Sequence, residues 1–534
     1  MKCLPSARRM GQVSAALGFG GVPSINFTLV AFLFGVPSVP FAQGYGVQQP
    51  LEAPSAGRRT LSIVPRVALT ETLTDNANLS ANSKRSELVS EVSPGIKISS
   101  DFGRVKGYLD YSLVARLSSQ GVSSGTLQNS LTTFGSVEAV DNFAFLDFSA
   151  SIAQQAVSGF GVLSPGNNST NSNQTESSNY RLSPYLRGNL GGFADYEARY
   201  SLSVNRNQSA VTSDVTAQDI QLSLRGRAPA SRLGWSIQAG QQSVNYSLGR
   251  TVESDSLTSS LNYALNPQLV ISASAGQEGN NYNSLTKERN LTTGQGIQWA
   301  PSPNASFSAS RQTRSFGQSH NVSFSYRTGR TAWAFTDSQD VSNTPSQSGL
   351  GSRGPIYDLY FAQFASIEPD PFKRAVLVNS FLQAFGINPN TVVVSNFLTS
   401  ALALQRRQDI SFSLLGLRDT ITFTATKTDT SRLDSFSSAV DDLSNAGAVR
   451  QTGLSVNYAH RLTPESSMNL TGLNQHSTDS RGLQESTSNS ISLGFTTRLG
   501  LKSTAAVNAR RVIFDSRSSP YNETAISGTV NVQF

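Results

Sequence analysis

The residues of this chain that could carry chemistry are charged and aromatic side chains at every second position of strand-like segments. That spacing puts them on one face of a strand, opposite apolar residues. Ionised groups on such a face suit a water-filled passage, where their sign and reach select solutes. We interpret nine residues as lining such a lumen: Lys106, Asp110, Arg116, Arg181, Tyr185, Arg187, Asp195, Glu197 and Arg199.

Two interpretations of these nine residues stay open. The simpler one, which we favour, is that the charges solvate the wall of a channel without forming a specific site. In the other, Tyr185 stands between Arg181 and Arg187 on one predicted face and offers an aromatic surface able to stack on a sugar ring.

Catalytic and metal-binding patterns are weak in this sequence. Gly121-Val-Ser-Ser-Gly125 has the spacing of a nucleophile elbow, but that chemistry needs a strand–turn–helix setting with His and acid partners, and here the segment is a polar loop. His320, His460 and His476 are far apart and have no carboxylate at metal-ligand spacing. We therefore predict no catalytic residue, no metal site and no cofactor.

The last ten residues, 525–534, have the length and alternation of a membrane-spanning β-strand. Lipid bathes one face of such a strand and a polar lumen the other, and closure of the barrel removes every unpaired edge. The terminal Phe534 resembles the signal read by the bacterial barrel-insertion machinery. The apolar face is Ile526, Gly528, Val530, Val532 and Phe534, and the polar face is Ser527, Thr529, Asn531 and Gln533.

Similar alternating segments recur from Thr60 onward, and tight turns alternate with long polar loops between them. Short turns on the periplasmic side and long loops outside are typical of outer-membrane barrels. We predict an all-β fold, a transmembrane antiparallel β-barrel of about 20 to 22 strands with a short helical insertion. A secreted β-solenoid or adhesin stalk shares the period of two, but the loop asymmetry, Phe534 and an export signal favour the barrel.

The export signal lies in residues 1–42, which carry basic residues, then an apolar run over 25–36, then small residues around Ala42. This is the pattern of a secretory signal peptide, and the apolar run is too short to span a membrane. Cys3, the only cysteine, would leave with it. We predict a periplasmic linker over 43–59 and the barrel over 60–534, located in the cell outer membrane.

Composition excludes some partners. The formal net charge is +7 and basic residues are scattered without a dense Lys/Arg run, so no nucleic-acid footprint is expected. Hydrophobic residues make up 38% of the chain. A barrel accounts for this low value because half of each strand faces water.

One segment, 350–407, breaks the period of two and is predicted to be a helical insertion. Asp370-Pro371 has the form of an N-cap followed by proline at the first helical position, and Gly386 stands where a C-cap would. The pattern predicts a helix over 372–385 and suggests a second over 392–404. Strand parity puts the insertion on the long-loop side, as a cap over the external mouth or a constriction in the lumen.

Three stretches resemble a known family. They are Val67 to Leu79 with Ser86-Glu-Leu-Val and Ser93-Pro-Gly-Ile, then Ser183-Pro-Tyr-Leu leading to Ala198-Arg-Tyr, then Phe397-Leu-Thr with Leu404 to Ser411. In pattern and order they are similar to the outer-membrane β-barrel proteins associated with PEP-CTERM/exosortase systems and exopolysaccharide gene clusters. The resemblance implies a role near exopolysaccharide assembly or export, and it carries no catalytic residues to this chain.

Together these features predict a porin-like outer-membrane barrel for passive passage of polysaccharide or small solutes, without enzymatic activity. The expected partners are outer-membrane lipid, the barrel-insertion machinery and, through the resemblance, exopolysaccharide and its export components. Two rivals stay open. The barrel could anchor long surface loops for adhesion or scaffolding, or it could be an enzyme acting on polysaccharide or lipid.

Overall fold

The computed structural model describes residues 60–119, 126–163, 171–209, 211–227, 232–342, 397–434, 436 and 441–534, with scattered residues between 361 and 379. These residues contain 22 antiparallel strands and one complete helix, α1 (Asp442–Ala446). The strands are β1 (Thr60–Thr74), β2 (Glu87–Phe102), β3 (Val105–Ser118), β4 (Thr126–Val140), β5 (Ala144–Ala156), β6 (Gln174–Leu190), β7 (Ala194–Asn207), β8 (Val215–Arg227), β9 (Leu233–Tyr246), β10 (Thr251–Asn266), β11 (Leu269–Asn280), β12 (Glu288–Ser302), β13 (Ala305–Arg314), β14 (Gly317–Arg327), β15 (Thr331–Ser342), β16 (Ala403–Leu415), β17 (Asp419–Arg432), β18 (Ala448–Arg461), β19 (Ser466–Asp479), β20 (Glu485–Arg498), β21 (Ser503–Ser516) and β22 (Tyr521–Gln533).

The strands form one closed barrel, because each pairs with the next and β22 pairs with β1. The closing register runs from Arg66 opposite Gln533 to Thr74 opposite Ala525. The backbone N–H of Phe534 donates to the carbonyl of Pro65 at 2.9 Å and extends this ladder to the last residue. The predicted barrel of about 20 to 22 strands is confirmed, and no sheet edge stays unpaired among them.

Alternation fixes which face points inward. On β17, Thr420, Thr422 and Thr424 are buried on the inner face, while Ile421 and Phe423 lie on the outer face. Most strands repeat this arrangement, and the outer wall exposes large apolar side chains such as Leu257 and Leu261. So much exposed apolar surface is unstable in water and stable in lipid, as in transmembrane barrels.

The connections divide between the two ends of the barrel. At the end where β1 begins and β22 finishes, here the short-turn end, every connection between described strands is brief, and Gly103 and Asn142 supply the positive φ that two of these turns need. The opposite or long-loop end carries the longer connections, although Ser315-Phe316 also makes a tight turn there. The predicted alternation of turns and loops is confirmed.

The predicted insertion differs from the structure at its second half. Residues 374, 375 and 377–379 are helical, and the rest of the predicted helix over 372–385 lies outside the described residues. The second predicted helix is wrong over its described part, because 397–402 is not helical and β16 already begins at Ala403, which pairs with Ser342. The insertion therefore ends at 402 and not at 407.

Other sequence predictions fall outside the described residues, namely the signal peptide over 1–42, the linker over 43–59 and the Gly121–Gly125 loop. Helix α1, which lies in the long loop between β17 and β18, was not predicted. No helix in the described part of the chain is long and apolar enough to cross a membrane.

Candidate functional site

The nine residues predicted to line a lumen all lie on the inner face of three strands. Lys106, Asp110 and Arg116 are on β3, Arg181, Tyr185 and Arg187 on β6, and Asp195, Glu197 and Arg199 on β7. Because β6 and β7 are neighbours, the register sets Tyr185 opposite Arg199 and Arg187 opposite Glu197. The hairpin thus brings together residues that sequence alone placed only on a common face.

Four of these inner-face side chains form a stack that we call the arginine–aromatic ladder: Arg187, Phe145, Tyr185 and Arg199. The guanidinium carbon of Arg187 lies 4.1 Å from the ring centre of Phe145. The rings of Phe145 and Tyr185 are stacked with centres 5.0 Å apart, and the guanidinium carbon of Arg199 lies 3.9 Å from the ring centre of Tyr185. Such contacts are favourable through the negative charge on aromatic faces.

The ladder changes what Tyr185 can do. Phe145 covers one face of its ring and Arg199 the other, so in this arrangement neither face is free to stack on a sugar. Phe145 was not among the residues predicted to line the lumen, although its inner-face position on β5, directly opposite Tyr185, could have indicated it.

The two arginines of the ladder differ in their partners. Arg199 pairs with Asp147 at 2.9 Å and with Glu197 at 3.0 Å, which holds its guanidinium in place and neutralises it. Arg187 is exposed, and its guanidinium lies over the Phe145 ring without forming an ion pair with any described carboxylate. Arg187 is therefore the cation that the ladder presents to a passing solute.

A second inner-face cluster lies on β1 to β4. Asp110 accepts hydrogen bonds from Arg66 at 2.5 Å and from the Tyr108 hydroxyl at 3.0 Å. The rings of Tyr108 and Phe134 are stacked at 5.7 Å, and the Lys97 ammonium lies 5.6 Å from the Tyr108 ring centre. Cations and aromatic rings thus continue along the inner wall from β1 to β7.

Arg116 departs from the prediction. It points inward at the long-loop end of β3, but it is only 2% exposed and pairs with Glu91 at 3.1 Å. It therefore does not line an open passage. Removal of one partner from a buried ion pair leaves an uncompensated charge, so Arg116 supports the structure of this end of the barrel.

At the long-loop end, loops from opposite sides of the barrel pack against one another. We call the described segments 157–163, 397–402 and 441–447 the mouth cover. Phe160, Phe397 and Leu443, one from each segment, belong to a single buried apolar cluster. At 3.2 Å, the Leu398 N–H donates to the carbonyl of Ala156, at the end of β5. Burial of such contacts away from water stabilises the packed arrangement.

The mouth cover is also joined to distant strands. Leu402 packs in an apolar cluster with Val244 and Tyr246 of β9. Ser486, on β20, donates to the Gly159 carbonyl at 3.1 Å, and the Tyr521 hydroxyl at the start of β22 donates to the Leu163 carbonyl. Strands on separate parts of the barrel wall are therefore linked across the mouth.

Polar contacts fasten the three cover segments. Asp442 accepts hydrogen bonds from the Gly159 N–H at 2.8 Å and the Ser158 hydroxyl at 3.1 Å. Asp441 accepts from the Ser400 N–H at 2.9 Å. A separate ion pair of 3.0 Å joins Arg250, between β9 and β10, to Asp434, between β17 and β18. Residues 397–402 of the insertion thus lie over the mouth rather than free in solvent.

Burial raises the pKa of Asp442, and its hydrogen bonds oppose that shift without cancelling it. A solvated aspartate has a pKa near 3.9. The closed cover therefore binds the Asp442 proton more tightly than an open cover does. As the pH falls through the raised pKa, protonation stabilises the closed cover relative to the open one, and this stabilisation is complete below a pH of about 3.9.

We expect acidification to increase the closed fraction of the channel, and Asp442→Asn to abolish that dependence because it cannot titrate. Current recordings in planar bilayers from neutral to acidic pH measure this directly. An unchanged pH response in the variant would show that another group titrates.

The three histidines occupy three separate places. His320 lies 3.0 Å from Asp337, His460 lies 2.7 Å from Asp419, and His476 lies 2.9 Å from the Thr487 hydroxyl. Among the described residues, no group of three or more His, Cys, Asp or Glu side chains is arranged to hold a metal ion.

No protein-family model and no curated protein matches this chain. Several solved structures are similar in fold. The siderophore receptor PirA from Pseudomonas aeruginosa is 9% identical, with 90% of this chain and 81% of that chain covered and a TM-score of 0.42. The FrpB iron transporter from Neisseria meningitidis is 10% identical, with 88% and 81% covered and a TM-score of 0.48. Identities this low transfer no residue roles to the present chain.

Proposed function

We propose that the chain is a porin-like outer-membrane barrel through which polar solutes pass along the inner wall. The observation that carries the proposal is the division of the closed wall into an apolar outer face and an inner face with charged and aromatic clusters, from Arg66 and Asp110 to the arginine–aromatic ladder. A wall of this kind spans lipid and replaces part of a solute's hydration.

We further propose exopolysaccharide, or a related polar solute, as the cargo. The sequence resemblance to barrels of exopolysaccharide clusters supports this choice. The inner wall supplies side chains suited to it, because Arg187 offers guanidinium donors to carboxylate or phosphate groups on a polysaccharide. Insertion by the barrel-assembly machinery through Phe534, export through a cleaved signal and lipid as the surrounding partner belong to the same proposal.

The pairing of β15 with β16 allows a deletion that tests whether solutes pass through the barrel. Ser342 and Ala403 pair directly across β15 and β16, so residues 343–402 can be replaced by a two-residue Asn-Gly turn that suits a hairpin. This open-mouth variant removes one segment of the mouth cover and keeps every strand residue. A deletion of 350–407 would instead remove part of β16.

Reversal of charge at Arg187 is expected to change ion selectivity. In the open-mouth variant, Arg187→Glu should lower the anion-to-cation permeability ratio roughly threefold, the effect of reversing one unit charge about 7 Å from an ion path in screened water. Reversal potentials in a salt gradient measure the ratio. Arg330→Glu, in the exposed turn between β14 and β15, is the matched control and should change it little. Equal effects of the two substitutions would remove Arg187 from the path.

The anchor alternative has one specific observation in its favour. The mouth cover packs buried apolar clusters and ion pairs across the long-loop end, which a scaffold with no transport would also do. The two functions differ in one result: a scaffold stays non-conducting in the open-mouth variant, and a channel conducts. An enzyme acting on polysaccharide or lipid would need a clustered acid pair or a Ser/His/acid set, and the described histidines lie apart.

A further inference from the structure

The outer wall carries a charged patch where a membrane barrel would be expected to be apolar. We call it the outer cationic patch, and it consists of Arg406, Lys427 and Arg450 with Asp337 and Asp429. The register places Arg406 opposite Asp429, and Asp429 opposite Arg450, in one row across β16, β17 and β18. The patch is thus built by the sheet and does not depend on loops.

These side chains point outward. Arg406 shares its face of β16 with Ile410, Phe412 and Leu414, and Lys427 shares its face of β17 with Ile421. Ile410, Leu414 and Ile421 are exposed on the outer wall. The patch therefore continues the lipid-facing surface and does not line the lumen.

The position of Arg406 along β16 sets the height of the patch relative to the bilayer. Arg406 lies nine residues from Leu415 at the short-turn end of β16, roughly 23 Å of height at 3.3 Å per residue and a tilt of about 40°. The apolar band of such barrels is about 25 Å tall. The patch therefore lies at the long-loop edge of the apolar band, where the lipid headgroups begin.

Carboxylates position the cations but accept only some of their N–H donors. Arg406 contacts Asp337 with two nitrogens, at 3.1 and 2.8 Å, and Arg450 contacts Asp429 with Nε at 2.5 Å. A guanidinium has five N–H donors, so among the described residues Nη1 of Arg406 and both Nη atoms of Arg450 have no acceptor. Lys427 lies 3.7 Å from Asp429. Three permanent cations thus face two carboxylates.

A pocket of about 510 Å³ opens between the arginines. Thr478 also lines it, and its hydroxyl adds a neutral donor to the guanidinium groups, whereas the Ser480 hydroxyl donates to the Ala446 carbonyl at 2.6 Å. The carboxylates of Asp429 and Asp479 line the same pocket. Arg406 and Arg450 have side-chain exposures of 43% and 61%, so a ligand can reach them from outside. Fixed guanidinium donors with a hydroxyl beside them suit a phosphate group.

We propose that the outer cationic patch binds a phosphate of a phosphorylated glycolipid headgroup in the outer leaflet. The proposal rests on the outer-membrane location proposed above, with the long-loop end outside. Charges on a lipid-facing wall are costly unless they find partners at the membrane surface. A phosphorylated headgroup offers that partner, and the apolar face below the patch packs on its acyl chains.

The test uses the full chain refolded in detergent and titrated with diphosphoryl lipid A or with the same lipid after phosphatase treatment, with bound lipid counted by native mass spectrometry. We expect preference for the phosphorylated lipid. Combined Arg406→Gln, Lys427→Gln and Arg450→Gln should weaken its binding roughly a hundredfold, about fivefold for each cation near a membrane surface. The matched control, Arg330→Gln, Arg418→Gln and Lys502→Gln, removes three exposed cations at the short-turn end and should leave binding unchanged.

The outcomes separate the two proposals. The heat-modifiable gel shift of intact barrels and insertion into phosphatidylcholine vesicles test the membrane location first, and a wild-type chain that does neither overturns both proposals. Insertion with equal binding of the two lipids, or with undiminished binding by a correctly folded triple variant, overturns the lipid site alone. A wild-type dimer that becomes monomeric in the triple variant, with no lipid preference, would assign the patch to a subunit interface.

Discussion

Asp434→Ala is expected to destabilise the closed mouth by about 3–5 kcal/mol, the usual result of leaving one buried charge without its partner. The carboxylate side chain is 2% exposed and pairs with Arg250 at 3.0 Å. Arg250 also donates to the carbonyls of Asn281 and Tyr282, so it cannot easily turn to water when Asp434 is lost. Hydrogen exchange of loop amides, followed by mass spectrometry, measures the change.

The exposed pair Arg206 and Asp214 is the matched control. Its side chains are 57% and 30% exposed, and Asp214→Ala should change stability by less than about 1 kcal/mol. We expect faster exchange in 397–402 and 441–447 for Asp434→Ala and no change there for Asp214→Ala. Equal protection in the two variants would show that the Arg250–Asp434 pair does not hold the mouth cover.

Leu261→Arg is expected to destabilise the folded barrel by about 2–4 kcal/mol in lipid, the cost of a cation on the lipid face near the bilayer midplane. Leu261 is 57% exposed on the outer face of β10, between the apolar Leu257 and Leu265. No carboxylate stands opposite it, because its cross-strand partners are Trp235 and Ala273. Urea unfolding from phosphatidylcholine vesicles, followed by tryptophan fluorescence, measures the difference.

The next residue supplies the control. Asn262 lies on the inner face of β10, where a cation meets water, so Asn262→Arg should cost far less than Leu261→Arg. The comparison keeps the new residue, the strand and the depth nearly constant. Similar costs at the two positions would contradict the assignment of faces, and with it the lipid contact of the outer wall.

The strands could be predicted from the sequence because a period of two is a local property. The order of turns and loops followed from local signals as well, such as the glycine at 103 and the asparagine at 142, whose positive φ values suit turns. The start of β16 was placed too late because the run before Asp409 is rich in apolar residues that also fit a helix. Pairing of Ala403 with Ser342 makes Ala403 the first residue of β16, and no local sequence pattern reveals such a pairing.

For the candidate site, the sequence predicted only which face of each strand carries the residues. Alternation placed Tyr185 and Arg187 inward, but the stack with Phe145 depends on the register between β5 and β6. The mouth cover was even harder to predict from the sequence, because Phe160, Phe397 and Leu443 come from irregular loops without a periodic pattern. Burial of Arg116 likewise depends on distant packing, which the spacing of charges along β3 does not contain.

Single-channel conductance of the wild-type chain and of the open-mouth variant in planar bilayers tests the central claim most directly. Both proteins should show the heat-modifiable gel shift of intact barrels, and Asp214→Ala, a change in an exposed ion pair at the same end but outside the cover, is the control for general loop damage. We predict a low or intermittent current for the wild type and a larger, steady current once residues 343–402 are replaced. Two folded barrels with no current in either form would contradict the channel and leave the anchor function.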